Sequence, residues 1–239
     1  MCCQILYYPI VRIYLYFIGL FNLLRSLFRL KDGKPYIKGI PVENHLNFLD
    51  IVSFKSNVNL EAHLTRILEE QGFSTILIDD VELRIPTPDF TAIFLTCHDI
   101  YHFMASGLVL RYLCDLALFF THNAASINFQ PVLQILKEES QLELLTSFLD
   151  LAQNNLGMST NIVPALVPNG KISEWVFQDT MNNPFRRKGL NKLLKMSVFK
   201  RKVIGAIHLY QSKWKYDLVR KGMFRQRLIF SLKVAFSLK

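Results

Sequence analysis

From Pro86-Thr87-Pro88-Asp89 as far as Gly157, apolar side chains recur at helical spacing, and this commits the middle of the chain to packed helices. Phe90, Ile93, Phe94, Cys97 and Tyr101 share one stripe, which Ser106-Gly107 closes. A second helix is predicted from Leu108 to about Thr121, and a third from about Pro131 to Asn154, stopped by Gly157. After Pro164 and Pro168 an irregular stretch leads to a short helix near Ile172 to Asp179. The turn Asn182-Asn183-Pro184 and two basic helical segments follow.

Upstream the pattern is mixed. Short apolar runs around Gly39 and Pro41 suggest a strand from Lys34 that ends in Val42-Glu43-Asn44-His45. Residues 57–71 read as a helix, with Leu60, Leu64, Ile67 and Leu68 in register, Asn57 or Asn59 as cap and Gly72 as stop. Thr75 to Ile78 and Val81 to Ile85 read as a hairpin around Asp79-Asp80, two solvated turn residues. The fold class is therefore α+β and helix-dominated. An apolar leader (1–31) precedes a partial α+β region with a small sheet remnant (32–85), a helical domain (86–160) and a basic helical C-terminal region (161–239).

A chain of 239 residues can bury a core without disulfides. Its 51% hydrophobic and 20% charged residues exclude disordered, collagen-like and coiled-coil chains. The four cysteines, adjacent at Cys2 and Cys3 and lone at Cys97 and Cys114, make neither a disulfide framework nor a CxxC knuckle. A reducing, cytoplasmic setting is expected.

Charge divides the chain more sharply than its net +9 suggests. Residues 1–183 hold 12 basic and 18 acidic side chains, whereas residues 184–239 hold 16 basic side chains against the single acid Asp217. Spaced apolar groups among these cations describe basic amphipathic helices, which either pack on the body with their charges solvated or attach to an anionic membrane surface. Nucleic acid is the less expected partner. The first thirty residues are the most apolar, but a spanning helix there would carry Arg12 into the hydrocarbon at roughly 2.5–3.5 kcal/mol. A secretory signal fits worse, because no basic side chain precedes the apolar run and no small-residue cleavage site follows. A buried helix and a poorly folded leader are the other readings.

Two pairs could carry chemistry. His98 and His102 stand at i and i+4, the spacing of zinc-binding HExxH helices, but Asp99 replaces the glutamate and no third ligand is evident. Arg111 and Asp115 stand one turn apart in an otherwise apolar helix, where they need partners. An antiparallel hairpin across Ser106-Gly107 would join all four in one polar seam, structural or phosphate-contacting.

The ordered segments Tyr36-Ile37-Lys38-Gly39-Ile40-Pro41-Val42-Glu43-Asn44-His45, Phe90-x-Ala92-Ile93-Phe94-Leu95-x-x-His98-x-x-x-His102-Phe103 and Gly107-Leu108-x-Leu110-Arg111-x-x-x-Asp115-Leu116-Ala117 resemble the uncharacterised bacterial nucleotidyltransferase family found among surface-polysaccharide genes. Ser212-Lys213-Trp214-Lys215-Tyr216 is similar to its C-terminal region. The resemblance spans roughly residues 34–220. It implies a nucleotidyltransferase-like core followed by helices, and magnesium-dependent transfer from a nucleoside triphosphate to a small or carbohydrate acceptor. It implies Glu43 as a catalytic magnesium ligand, His98, His102 and Arg111 as substrate phosphate contacts, and Asp115 as their orienter. The Gly-Ser turn and Asp-x-Asp pair of that family do not precede Glu43 here. One carboxylate cannot hold the two magnesium ions such transfer uses, so the chain is expected to be a C-terminal portion, inactive alone.

Overall fold

The computed structural model describes residues 30–31, 34–37, 40–41, 47–78, 81–164, 166–182 and 196–237. The chain divides into two compact units, Met1–Phe48 and Leu49–Lys239. In the first, β1 (Leu30–Lys31), β2 (Lys34–Ile37) and β3 (Ile40–Pro41) form a small antiparallel meander. The single strand expected from Lys34 is thus two strands, with Ile37 paired opposite Ile40. Glu43 and the leader up to Arg29 lie outside the described residues.

The second unit begins its regular structure with a 3-10 turn at Lys55–Asn57 and helix α1 (Val58–Gln71), which buries Leu60, Leu64 and Ile67. Asn57 stands at the N-cap position, but its side chain donates to the Asp50 carbonyl at 3.1 Å instead of capping the helix. Gly72, at φ 68°, ends α1 in a conformation that a side chain would strain. Strands β4 (Phe73–Ile78) and β5 (Val81–Pro86) then pair antiparallel, Ile78 opposite Val81. Asp79 and Asp80 lie outside the described residues.

Downstream come α2 (Pro88–Ser106), α3 (Leu110–Asn123), α4 (Phe129–Glu138), α5 (Leu142–Leu156), α6 (Gly170–Asn182), α7 (Val198–Gln211), α8 (Lys213–Val219) and α9 (Met223–Ser237). Helix α2 is the hub, packing against α1, α3, α4, α5 and α8. Pro88 starts it behind an extended Thr87, and Gly107 at φ 86° ends it. The buried Asp89 carboxylate accepts from Gln71 Nε2 at 2.9 Å and from the Asn128 backbone N–H at 2.7 Å. These charge-assisted bonds tie the end of α1, the start of α2 and the entry to α4 together. Phe103 of α2 and Phe148 of α5 meet edge-on at 6.0 Å, both fully buried.

The predicted helix over Pro131 to Asn154 is two helices. Ser140 takes φ 60°, and the Gln141 N–H bonds back to the Leu136 carbonyl at 2.7 Å, so the chain turns between α4 and α5. The turn is fixed from outside: the buried Glu139 carboxylate accepts from Arg220 Nη2 at 2.7 Å. Periodicity alone carries no trace of this contact.

Among the described residues the basic end makes three helices where the sequence suggests two. Ser212 separates α7 from α8, and Gly222 at φ 88° precedes α9. Helix α9 docks on the body through Arg227 Nη1, which donates to Ser53 Oγ at 3.0 Å, and Gln226 Oε1, which accepts from the Ser56 N–H at 3.3 Å. No helix among the described residues is long and apolar enough to cross a membrane.

Candidate functional site

Along one face of α2 the rings of Phe90, Phe94, His98 and His102 follow each other at i+4 steps, with centroids 6.1, 5.9 and 4.5 Å apart. At the last step His98 Nε2 and His102 Nε2 are 3.2 Å apart, so one nitrogen donates and the other accepts. Across the Gly107 reversal, Tyr112 of α3 lies over both imidazoles, 4.7 Å from His102 and 5.7 Å from His98. Asp99 Oδ1 lies 3.4 Å from His98 Nδ1. A proton on His98 Nδ1 pointing to Asp99 leaves His98 Nε2 as the acceptor and His102 Nε2–H as the donor, which gives a single consistent chain of tautomers.

The expected four-residue seam resolves into two pairs. Arg111 Nε and Asp115 Oδ2 bond each other at 3.5 Å, with side chains 56% and 53% exposed. Leu113, Leu116, Ala117 and Phe120 are the buried stripe of α3, and residues 111 and 115 fall on the side away from it. Solvation rather than mutual rescue keeps these charges stable, and a surface pair of this kind contributes little. The stripe itself predicts that placement. Tyr112 is the α3 residue that reaches the histidines.

Burial pushes the Asp99 carboxyl up to about 6, against weaker opposing effects of His98. Because the folded state then holds the proton more tightly than the unfolded chain, stability falls as pH rises from about 4 to about 6, and the loss persists above that. Asp99→Asn is therefore expected to stabilise the protein by about 3 kcal/mol at pH 8 and by little at pH 4. Urea unfolding of both proteins at the two pH values checks this, and an equal effect at both would refute it. Next to it, burial pushes the Cys97 thiol up to about 12, which leaves it a packing group rather than a nucleophile.

A second polar cluster escapes sequence reasoning. Lys215 of α8, its side chain only 3% exposed, bonds Asp179 Oδ1 of α6 at 2.6 Å. Its ammonium lies 5.0 Å from the Phe103 ring centre and 5.6 Å from that of Trp214, which in turn meets Trp175 edge-on at 6.0 Å. Burial holds Lys215 below the ordinary lysine range, although Asp179 opposes this. Burial and the Lys215 charge also hold His208 of α7 below the ordinary histidine value. In the sequence Lys215 is one cation among sixteen in residues 184–239, and its partner lies outside that run.

Glu43, the carboxylate assigned to magnesium, lies outside the described residues. Among the described residues no three His, Cys, Asp or Glu side chains gather as a metal site. The histidine nitrogens have nearly the separation, roughly 3.3 Å, that two ligands keep on a tetrahedral zinc ion, but with no third ligand beside them no metal is assigned. Compared with known proteins, the chain matches no family model, no curated protein and no solved structure.

Proposed function

We propose that this chain is the nucleotide-contacting helical portion of a nucleotidyltransferase-family protein and that it transfers no nucleotidyl group by itself. The observation that supports the reading is the α2–α3 hairpin. It joins His98, His102 and Tyr112 in one cluster, and its second helix presents Arg111 to solvent one residue from Tyr112. The Arg111 guanidinium suits phosphate oxygens and Tyr112 adds an aromatic face beside it, while the N–H groups of the histidine pair are engaged with Asp99 and with each other. The carboxylate set that would hold two magnesium ions does not assemble from the described residues, so no transfer step is assigned to them.

The test is nucleoside triphosphate binding by the purified chain with and without magnesium, followed by pyrophosphate release. Binding is expected, weakened about tenfold by Arg111→Ala, with no pyrophosphate released. Absence of binding would overturn the proposal. Magnesium-dependent pyrophosphate release that disappears in Glu43→Ala would overturn its second half.

A further inference from the structure

Helix α7 turns Val203, Ile207 and Tyr210 to solvent at i, i+4 and i+7, exposed by 42%, 51% and 72%. Helix α9, held to the body on its Gln226–Arg227 side, turns Leu228, Ile229 and Leu232 outward. The exposed cations Lys200 and Lys202 accompany the first face, and Arg225 and Lys233 the second. Both helices pack on α8. Some of the local charge is spent within the protein: Lys215 on Asp179, Arg220 on Glu139, and Lys213 on Asp217, the only acid after residue 183. The outward cations of α7 and α9 have no such acid on their own helices.

We infer that the outer faces of α7 and α9 seat this protein on an anionic lipid bilayer. Only a bilayer surface answers both halves of the pattern, because aliphatic side chains enter the acyl boundary while lysine and arginine reach the headgroups above it. Tyr210, the most exposed of the six, has the amphipathic ring that belongs at that depth. A nucleic acid would engage the cations and leave the aliphatic residues in water. A second copy would oppose one cationic face to another. The inference does not depend on the nucleotide reading, since neither helix contributes a residue to the α2–α3 hairpin.

The test is co-sedimentation of the full chain with vesicles of phosphatidylcholine alone, or mixed with phosphatidylserine. The expected result is binding to the mixed vesicles that exceeds binding to the neutral ones by more than about tenfold and weakens as salt rises. The variants Lys200→Glu/Lys202→Glu and Arg225→Glu/Lys233→Glu are each expected to lower it by more than about tenfold. Ile207→Ser and Ile229→Ser/Leu232→Ser are expected to lower it with the salt dependence retained, and circular dichroism verifies that every variant is folded. Equal partition onto both vesicle types would overturn the inference in favour of the apolar leader, and so would binding unchanged by the charge reversals. Absence of binding to either vesicle overturns it outright. Tight binding to single-stranded RNA that the serine variants leave intact would identify a polyanion site instead. Self-association abolished by Ile207→Ser would identify an interface between copies.

Discussion

Lys215→Met alone is expected to destabilise the helical unit by about 3–5 kcal/mol, while Lys215→Met combined with Asp179→Leu recovers most of that loss. Removing the ammonium leaves the Asp179 carboxylate, its side chain only 15% exposed, without its counter-ion, with its Oδ2 already buried and unpartnered. A buried ion without its counter-ion bears nearly the full cost of desolvation, whereas two apolar groups of similar volume do not. The methionine also loses the ammonium's contact with the Phe103 and Trp214 rings, so recovery in the double variant is incomplete. Urea unfolding monitored by circular dichroism measures both. A single variant within about 1 kcal/mol of the parent would mean that water reaches the pair in solution.

Phe103→Ala is expected to cost a similar amount, about 3–5 kcal/mol, and Phe103→Leu under about 1.5 kcal/mol. The ring is fully buried on the hub helix and touches Phe148 of α5, Trp214 of α8 and the Lys215 ammonium at once. Its loss therefore opens a cavity where three helices meet, and rigid helices collapse into such a space only partly. Thermal and urea unfolding of the two variants decide the matter, since equal losses would show that the ring itself, and not the volume it fills, holds the three helices together.

The contrast between these two residues marks how far the sequence can be read. Phe103 lies beside the stripe of α2, between proline and glycine punctuation that defines the helix from local information alone, and its burial follows from hydrophobicity. The β4–β5 hairpin and α1 are legible for the same reason. Lys215 is not, because its burial depends on Asp179, 36 residues away and in a different helix. Ser140 breaks the helical run between α4 and α5 for a comparable reason, Glu139 being held by Arg220 from 81 residues downstream. At the candidate site the i, i+4 spacing of His98 and His102 gives their meeting correctly, since that contact lies within one helix. Placing Arg111 and Asp115 requires knowing which face of α3 is inside, and the Leu113–Leu116–Phe120 stripe holds that information.

The pairing of Trp175 with Trp214 has an optical consequence. These are the only two tryptophans in 239 residues, and they stand edge to face at 6.0 Å where α6 meets α8. Tryptophan emission from this protein is thus a single local gauge rather than an average over the molecule. It will change colour and intensity if the cationic end lifts from α6, and the Met1–Phe48 unit, which contains no tryptophan, adds no emission of its own. Lys171 lies 4.9 Å from the ring centre of Trp175 and Lys215 lies near Trp214, so each indole works in the field of a neighbouring ammonium and its excited-state dipole will respond to loss of either charge.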